Sequence, residues 1–421
     1  MLLESSLPDR YGLGRYSLLA WDPVGIFRAK GRELLWQAAD GSARGWEGDP
    51  WAELRRLQAE VPAGWRRGRG PFSGGLVGYL GYELGAHLER VPLAAGDDLG
   101  LPDCVLGVYP GALCYHHRSG HWEVLGRPNL SALGAPQPAL GTLRAGPAHS
   151  SLSRRQYERG VRRIQRYIAA GDVYQVDLTR RLRARLLQGD AWAFYRRLRE
   201  ANPAPYSAFM QWGDHQVASS SPERFLYLRE RRVETRPMKG TRPRGEDPAA
   251  DRRLARELRA SAKDRAELLM IVDLERNDLG RVCRYGSVRV PALYSLESYA
   301  RVHQMVARVR GELAPGQGAV DLVAACFPGG SITGAPKIRA MEIIAELEPH
   351  VRGVYTGAIG YLGWEGNMDL GMAIRTAVVQ DGRVHVGVGG GIVADSDPAA
   401  EWEETRHKAR ALLEALGTDE R

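Results

Sequence analysis

From Tyr16 to about Gly126 the chain reads as strand after strand, and this run limits the fold more than any other feature. Residues 16–21, 25–30, 33–37 and 74–82 are short apolar runs separated by glycine, proline or aspartate. Within that stretch only residues 50–60 carry helical spacing. Successive strands with a single intervening helix lack the regular crossovers that a doubly wound parallel sheet requires. The expected class is therefore α+β.

The later part mixes the two kinds of element. Residues 153–170 read as a capped amphipathic helix, with Tyr157, Val161, Ile164 and Ile168 recurring at helical intervals. Residues 174–182 alternate like a strand and 190–201 are helical. Strands at 208–211, 216–220 and 224–228 precede a long helix from about 249 to 278. A helix at 335–347, strands at 357–363, 371–379 and 384–388, and a closing helix at 399–416 complete the pattern. Residues 127–150 are rich in Pro, Ala, Gly and Ser and suit a linker or crossing loop. A chain of 421 residues exceeds what one core usually fills, so two or three domains, or one large composite domain, are expected.

The net charge of +8 comes from arginines scattered among acids, with short clusters such as Arg66-Arg67-Gly68-Arg69. A nucleic-acid binder would show a basic stripe or tail, so the reading is no nucleic acid and a mild bias toward small anions. The four cysteines, Cys104, Cys114, Cys283 and Cys326, show neither metal-ligand spacing nor a disulfide rhythm. Reduced, partly buried thiols in a cytoplasmic protein are expected. No apolar run reaches the ~18 residues of a membrane span, and Met1–Ser5 lacks the features of a secretory signal.

Lysine is scarce, occurring only at Lys30, Lys239, Lys263, Lys337 and Lys408. An isolated lysine is ordinarily a solvated surface residue. Lys239, however, follows an alternating run and precedes a glycine, which places it at a strand end facing a cleft. A desolvated lysine can lose its proton and attack an electrophile, whereas a guanidinium stays charged. Glu267 lies in the stripe of Met270, Ile271 and Leu274, and Glu401, Glu404 and Lys408 share one helical face. Carboxylates converging from separate helices suit a hard cation. In Phe327-Pro328-Gly329-Gly330-Ser331-Ile332-Thr333-Gly334-Ala335-Pro336-Lys337, Ser331 or Thr333 is placed to cap a helix whose free amides favour an anion. Arg375 is a cation in an otherwise apolar strand, to be matched by an internal acid or a substrate carboxylate. Gly387-Val388-Gly389-Gly390-Gly391 offers backbone that can sit against a ligand.

These motifs, with Ser221-Pro222-Glu223-Arg224-Phe225, Asp273-Leu274-Glu275-Arg276-Asn277-Asp278, Gly357-Ala358-Ile359-Gly360-Tyr361 and Gly391-Ile392-Val393-Ala394-Asp395-Ser396-Asp397, occur in an order that resembles the chorismate-utilising enzymes. The resemblance implies two interleaved antiparallel-rich β-sheets packed as a sandwich with flanking helices. It implies a regulatory-type N-terminal subdomain at 1–146 and a chorismate-binding catalytic domain at 147–421. By matching positions, Glu267 and Glu404 correspond to Mg²⁺ carboxylates, with Glu401 close by and acting through water. Arg375, Tyr355, Thr333 and the backbone at Gly390 and Gly391 fall where the family grips the substrate carboxylates, with Lys408 a further candidate. His303 matches a histidine near the substrate ring.

Within the family, lysine in the Pro237-Met238-Lys239-Gly240-Thr241 loop resembles the aminodeoxychorismate synthase branch, where anthranilate synthases usually carry alanine. That likeness implies attack by Lys239 at C2 of chorismate, Glu223 as general acid/base, and ammonia entering at C4. Leu2-Leu3-Glu4-Ser5 and Gly14-Arg15-Tyr16-Ser17 instead resemble the tryptophan-binding stretch of anthranilate synthases, so that branch stays the alternative. No cysteine lies in the Gly-x-Cys-x-Gly elbow of a glutaminase, so a separate glutamine amidotransferase subunit is the expected source of ammonia.

Overall fold

Short glycine-punctuated strands need partners on both edges, and here they pair antiparallel into two large sheets. The computed structural model describes residues 1–7, 11–62, 65, 68, 70–94, 96–133, 142–299 and 302–421. Gly68 apart, the arginine cluster at 66–69 lies outside the described residues, as do 134–141 of the Pro/Gly-rich stretch.

The first sheet runs from Arg144–Ala145 through Gln175–Gln188, Arg383–Ile392, Thr376–Gln380, Gln216–Ser221 and Tyr206–Gln211 to Leu2–Glu4, Tyr16–Leu19, Gly111–His116 and His121–Gly126. The second runs from Met238–Pro243 through Val302–Glu312, Arg232–Thr235, Arg224–Arg229, Met368–Met372 and Ala358–Gly363 to Gly75–Leu80, Cys104–Tyr109, Gly25–Lys30, Glu33–Ala38 and Ala43–Glu47. Each sheet takes strands from both sides of residue 146. Leu2 pairs with Phe209 in the first, and Gly363 with Gly75 in the second.

Burial follows position in the sheet. Gly75–Leu80, Cys104–Tyr109 and Ala358–Gly363 are buried along their whole length, as strands covered on both faces must be. Edge strands Ala43–Glu47 and His121–Gly126 are mostly exposed. Helix Ala262–Gly280 packs on Met238–Pro243 and Val302–Glu312, and helix Pro398–Leu416 packs on Arg383–Ile392. The four cysteines are free and buried. Among the described residues no helix is long and apolar enough to cross a membrane.

Five expectations need correction. The helix expected over 249–278 is two, Pro248–Ala260 and Ala262–Gly280, because Ser261 ends the first and caps the second by accepting from the Asp264 amide. The helix expected from 335 begins at Lys337. Gly334–Ala335 is instead a short strand on Gln175–Gln188, and Pro336 has no amide to give a preceding turn. Neither Ser331 nor Thr333 caps that helix. The strand expected over 371–379 is broken, since Met368–Met372 belongs to the second sheet and Thr376–Gln380 to the first. Arg375 makes the crossing with a φ of 52°, so it is not a mid-strand residue.

One buried network ties the crossing points together. Arg352 donates to Glu348 at 2.6 Å, to the carbonyl of Ile332 at 2.9 Å and to that of Asp177 at 3.0 Å. Glu348 also accepts from the Thr179 amide at 2.9 Å. Arg352→Met leaves the Glu348 carboxylate buried without its cation, which costs about 3–5 kcal/mol. Urea unfolding followed by circular dichroism checks this. The double variant Arg352→Met/Glu348→Leu should recover part of the loss, and equal losses in both would show that the ion pair is not the cause.

Candidate active site

Lys239 is the second residue of the edge strand Met238–Pro243, opposite Met305 and just before a shift in register. Its Nζ donates to the Ser331 carbonyl at 3.1 Å and sits 4.0 Å from Asp177 Oδ1. The Ser331 hydroxyl donates to Glu223 Oε1 at 2.6 Å. One loop residue thus joins the amine to the carboxylate. Burial pushes Glu223 up to about 7, even though the Ser331 hydroxyl and the Lys239 cation both favour its charged form. A carboxyl in that range is half protonated near neutral pH and can give or take a proton.

Glu267 projects from helix Ala262–Gly280, with Lys263 Nζ 3.9 Å away. Its carboxyl is pushed up by burial, offset by Lys239 and Lys263 and reinforced by repulsion from Glu404. Glu401 and Glu404 project from helix Pro398–Leu416 onto strand Arg383–Ile392. A side chain at Gly390 would place its Cβ 3.4 Å from Glu401 Oε2, 3.4 Å from Glu404 Oε1 and 3.5 Å from Lys408 Nζ. The glycine therefore leaves open the space that these groups face. Lys408 binds Glu404 at 2.6 Å and the Gly389 carbonyl at 2.8 Å, and it is the main reason that Glu404 is held down to about 2. Ser396 donates to the buried Glu401 at 2.7 Å.

The substrate-gripping candidates surround this group. Thr333 is buried and donates to the Gly329 carbonyl at 2.9 Å, while its own carbonyl accepts from the Asp177 amide at 2.8 Å. The Tyr355 ring lies on Gly387, where a Cβ would fall 2.3 Å from Tyr355 Cγ. Among the described residues no carboxylate ion-pairs with Arg375. Burial lowers its guanidinium pKa, and Tyr355 and Glu404 are the groups offsetting that cost. A side chain at Gly391 would fall 2.9 Å from Asp177 Oδ1.

The hydrogen bonds of His303, two residues before the Met305 that faces Lys239, run to other side chains. Its Nδ1 lies 2.8 Å from Ser298 Oγ, and its Nε2 lies 3.0 Å from Asp251, which Arg244 also engages. Asp251 arrives from helix Pro248–Ala260, a partner that proximity in sequence does not reveal. Conversely, Ser331, read from sequence as a cap, joins the cluster, and Asp177 belongs to it and went unassigned. The signal for Asp177 was a polar face, Gln175, Asp177 and Thr179, on a strand whose alternate residues Val176 and Leu178 are core.

A cavity of about 510 Å³ lies elsewhere, between the sheets, lined by residues that include Leu3, Glu4, Tyr16, Pro205, Tyr206 and Ser207. The stretches resembling a tryptophan site therefore share one cavity, and none of Lys239, Glu223 or Glu267 lines it.

The sequence profile of the chorismate binding enzymes matches residues 5–414. Anthranilate synthase component 1 of Streptomyces coelicolor is 43% identical over 448 residues, covering 99% of this chain and 83% of that protein. Aminodeoxychorismate synthase component 1 of Klebsiella aerogenes is 46% identical over 353 residues, covering 82% of this chain and 78% of that protein. The crystal structure of anthranilate synthase component I from Streptococcus pneumoniae superposes with a TM-score of 0.83 at 32% identity, covering 96% of this chain and 93% of that one. Relatives of comparable identity carry two different activities in their names, so what they share is the statement they support. With its two antiparallel sheets and the acid-and-lysine cluster between them, this chain belongs to the chorismate binding enzymes.

Proposed function

We propose that this chain aminates chorismate at C4 to give 4-amino-4-deoxychorismate, a step toward p-aminobenzoate and folate, using ammonia from a partner glutamine amidotransferase in the cytoplasm. The observation that carries the reading is the Lys239–Ser331–Glu223 bridge, an amine and a half-protonated acid held by one residue. The Lys239 amine attacks C2 of the ring while Glu223 gives its proton to the departing 4-hydroxyl, which leaves as water. Ammonia then bonds at C4 and the C2–N bond breaks, returning the lysine. Arg375, the Tyr355 hydroxyl and Thr333 orient the two substrate carboxylates, and half-buried Arg375 gains in them the anion it lacks.

Glu267, Glu404 and Glu401 would hold Mg²⁺, an assignment that rests on hard oxygen donors from two helices: Glu401 and Glu404 face Gly390, and Glu267 lies close enough to Glu404 to be repelled by it. When bound, the ion supplies positive charge that neutralises a substrate carboxylate and eases loss of the hydroxyl. His303 stays outside this scheme, held by Asp251 and Ser298.

The second reading is anthranilate synthesis, favoured by the shared names among relatives and by the cavity at Glu4 and Tyr16. Purified protein given chorismate, Mg²⁺ and ammonium should yield 4-amino-4-deoxychorismate by mass, and fluorescent anthranilate would favour the second reading instead. Lys239→Ala should lower turnover at least ~1,000-fold while chorismate still binds, and unchanged turnover removes the lysine from the chemistry.

A pH dependence follows from Glu223. The acid form is the one required, so kcat/KM should fall as pH rises through about 7. The Ser331 hydroxyl favours the carboxylate. Ser331→Ala should therefore move that limb upward by about one pH unit while the backbone contact to Lys239 remains. A limb that stays in place in Ser331→Ala would assign it to another group.

A further inference from the structure

His116, His121 and Glu123 share one face of the hairpin formed by Gly111–His116 and His121–Gly126. His116 pairs directly with His121, and Cys114 pairs with Glu123. Alternation along a strand then puts His121 and Glu123 on the side where His116 stands. The two imidazoles stack with centroids 4.4 Å apart at 14°, and His116 Nε2 lies 2.7 Å from Glu123 Oε2. One ligand atom from each residue falls within 4.8 Å of the others. Ser119, in the turn, has its Oγ 2.6 Å from His121 Nδ1. The Tyr16 ring braces His116 at 5.0 Å.

We propose that this hairpin binds one borderline divalent transition-metal ion, of the zinc, nickel or copper kind, through His116, His121 and Glu123. Imidazole nitrogen is the preferred ligand of these ions, and a carboxylate completes a three-donor set with positions left for water. Ser119 supplies the supporting contact such sites use: by accepting the His121 Nδ1–H it turns the Nε2 lone pair toward the ion. The carboxylate cluster near Lys239 offers oxygen alone and suits a hard cation, so the two sites select different metals. They are also remote in the fold. The hairpin ends the first sheet on one side, and Gln175–Gln188 lies near its other end. Bridging a cross-strand pair, the ion staples an exposed edge hairpin and stabilises the folded chain by mass action.

The test is zinc titration calorimetry on tag-free, otherwise intact protein in excess Mg²⁺, with copper electron paramagnetic resonance alongside. Expected are one zinc per chain, a copper signal split by two imidazole nitrogens, and a zinc affinity lowered more than about tenfold in both His121→Ala and Glu123→Ala. Ser119→Ala should weaken binding by about tenfold without abolishing it. Trp122, tilted against Tyr115 on the opposite face with ring centroids 5.0 Å apart, provides a second readout. Copper should quench its emission, and Trp122→Phe should remove that component. Wild-type affinity retained in both His121→Ala and Glu123→Ala, or no binding at all, overturns the site.

Discussion

Ser331 uses both of its polar groups at once, its carbonyl for the Lys239 ammonium and its hydroxyl for the Glu223 carboxyl. For this to happen, a loop must thread between helix Ala262–Gly280 and the ends of two sheets. The glycines make room. A Cβ at Gly330 would sit 2.7 Å from Leu274 Cδ2, and one at Gly334 would sit 2.1 Å from the Gln175 carbonyl. Gly334 also holds a φ of 148°, which residues with a side chain rarely adopt. The loop is anchored from behind by Arg352 on the Ile332 carbonyl and by the Asp177 amide on that of Thr333. The site is therefore positioned by the joint between sheets, and only secondarily by any one helix.

Charge is distributed to match. In a poorly hydrated site an isolated carboxylate prefers its proton, and Glu223, Glu267 and Glu401 are all pushed upward by burial. Lys239, Lys263 and Lys408 offset this to different degrees, and Glu404, with Lys408 at 2.6 Å, stays ionised. Glu223, pushed up to about 7, can hold a proton at neutral pH while Glu404 stays ionised, a contrast that acid–base work on one substrate can use. Arg375 extends the same logic to the other sign of charge, as a cation whose cost of burial a bound anion relieves.

Much of this was legible in the chain. Alternating runs and glycine punctuation gave the α+β class and most strands, because local period and turn chemistry decide those. Lysine scarcity pointed to Lys239, and helical spacing put Glu401, Glu404 and Lys408 on one face. What failed depended on distant partners. The long helical pattern through Ser261 hid a break, since a serine can sit mid-helix or cap, and tertiary packing chooses. Arg375 read as a strand residue because apolar neighbours on both sides serve two different sheets equally well. Ser331 read as a cap because its true partner, Glu223, is far away in sequence.

The central claim is that the Lys239 amine is the attacking group. Rapid quenching of the protein with chorismate and Mg²⁺ in the absence of ammonia, followed by intact and peptide mass spectrometry, tests it most directly. The account predicts a mass gain equal to chorismate less water, located on the peptide that carries Lys239 and discharged when ammonium is added. Full catalytic turnover with no adduct at that lysine under any quench time would contradict it.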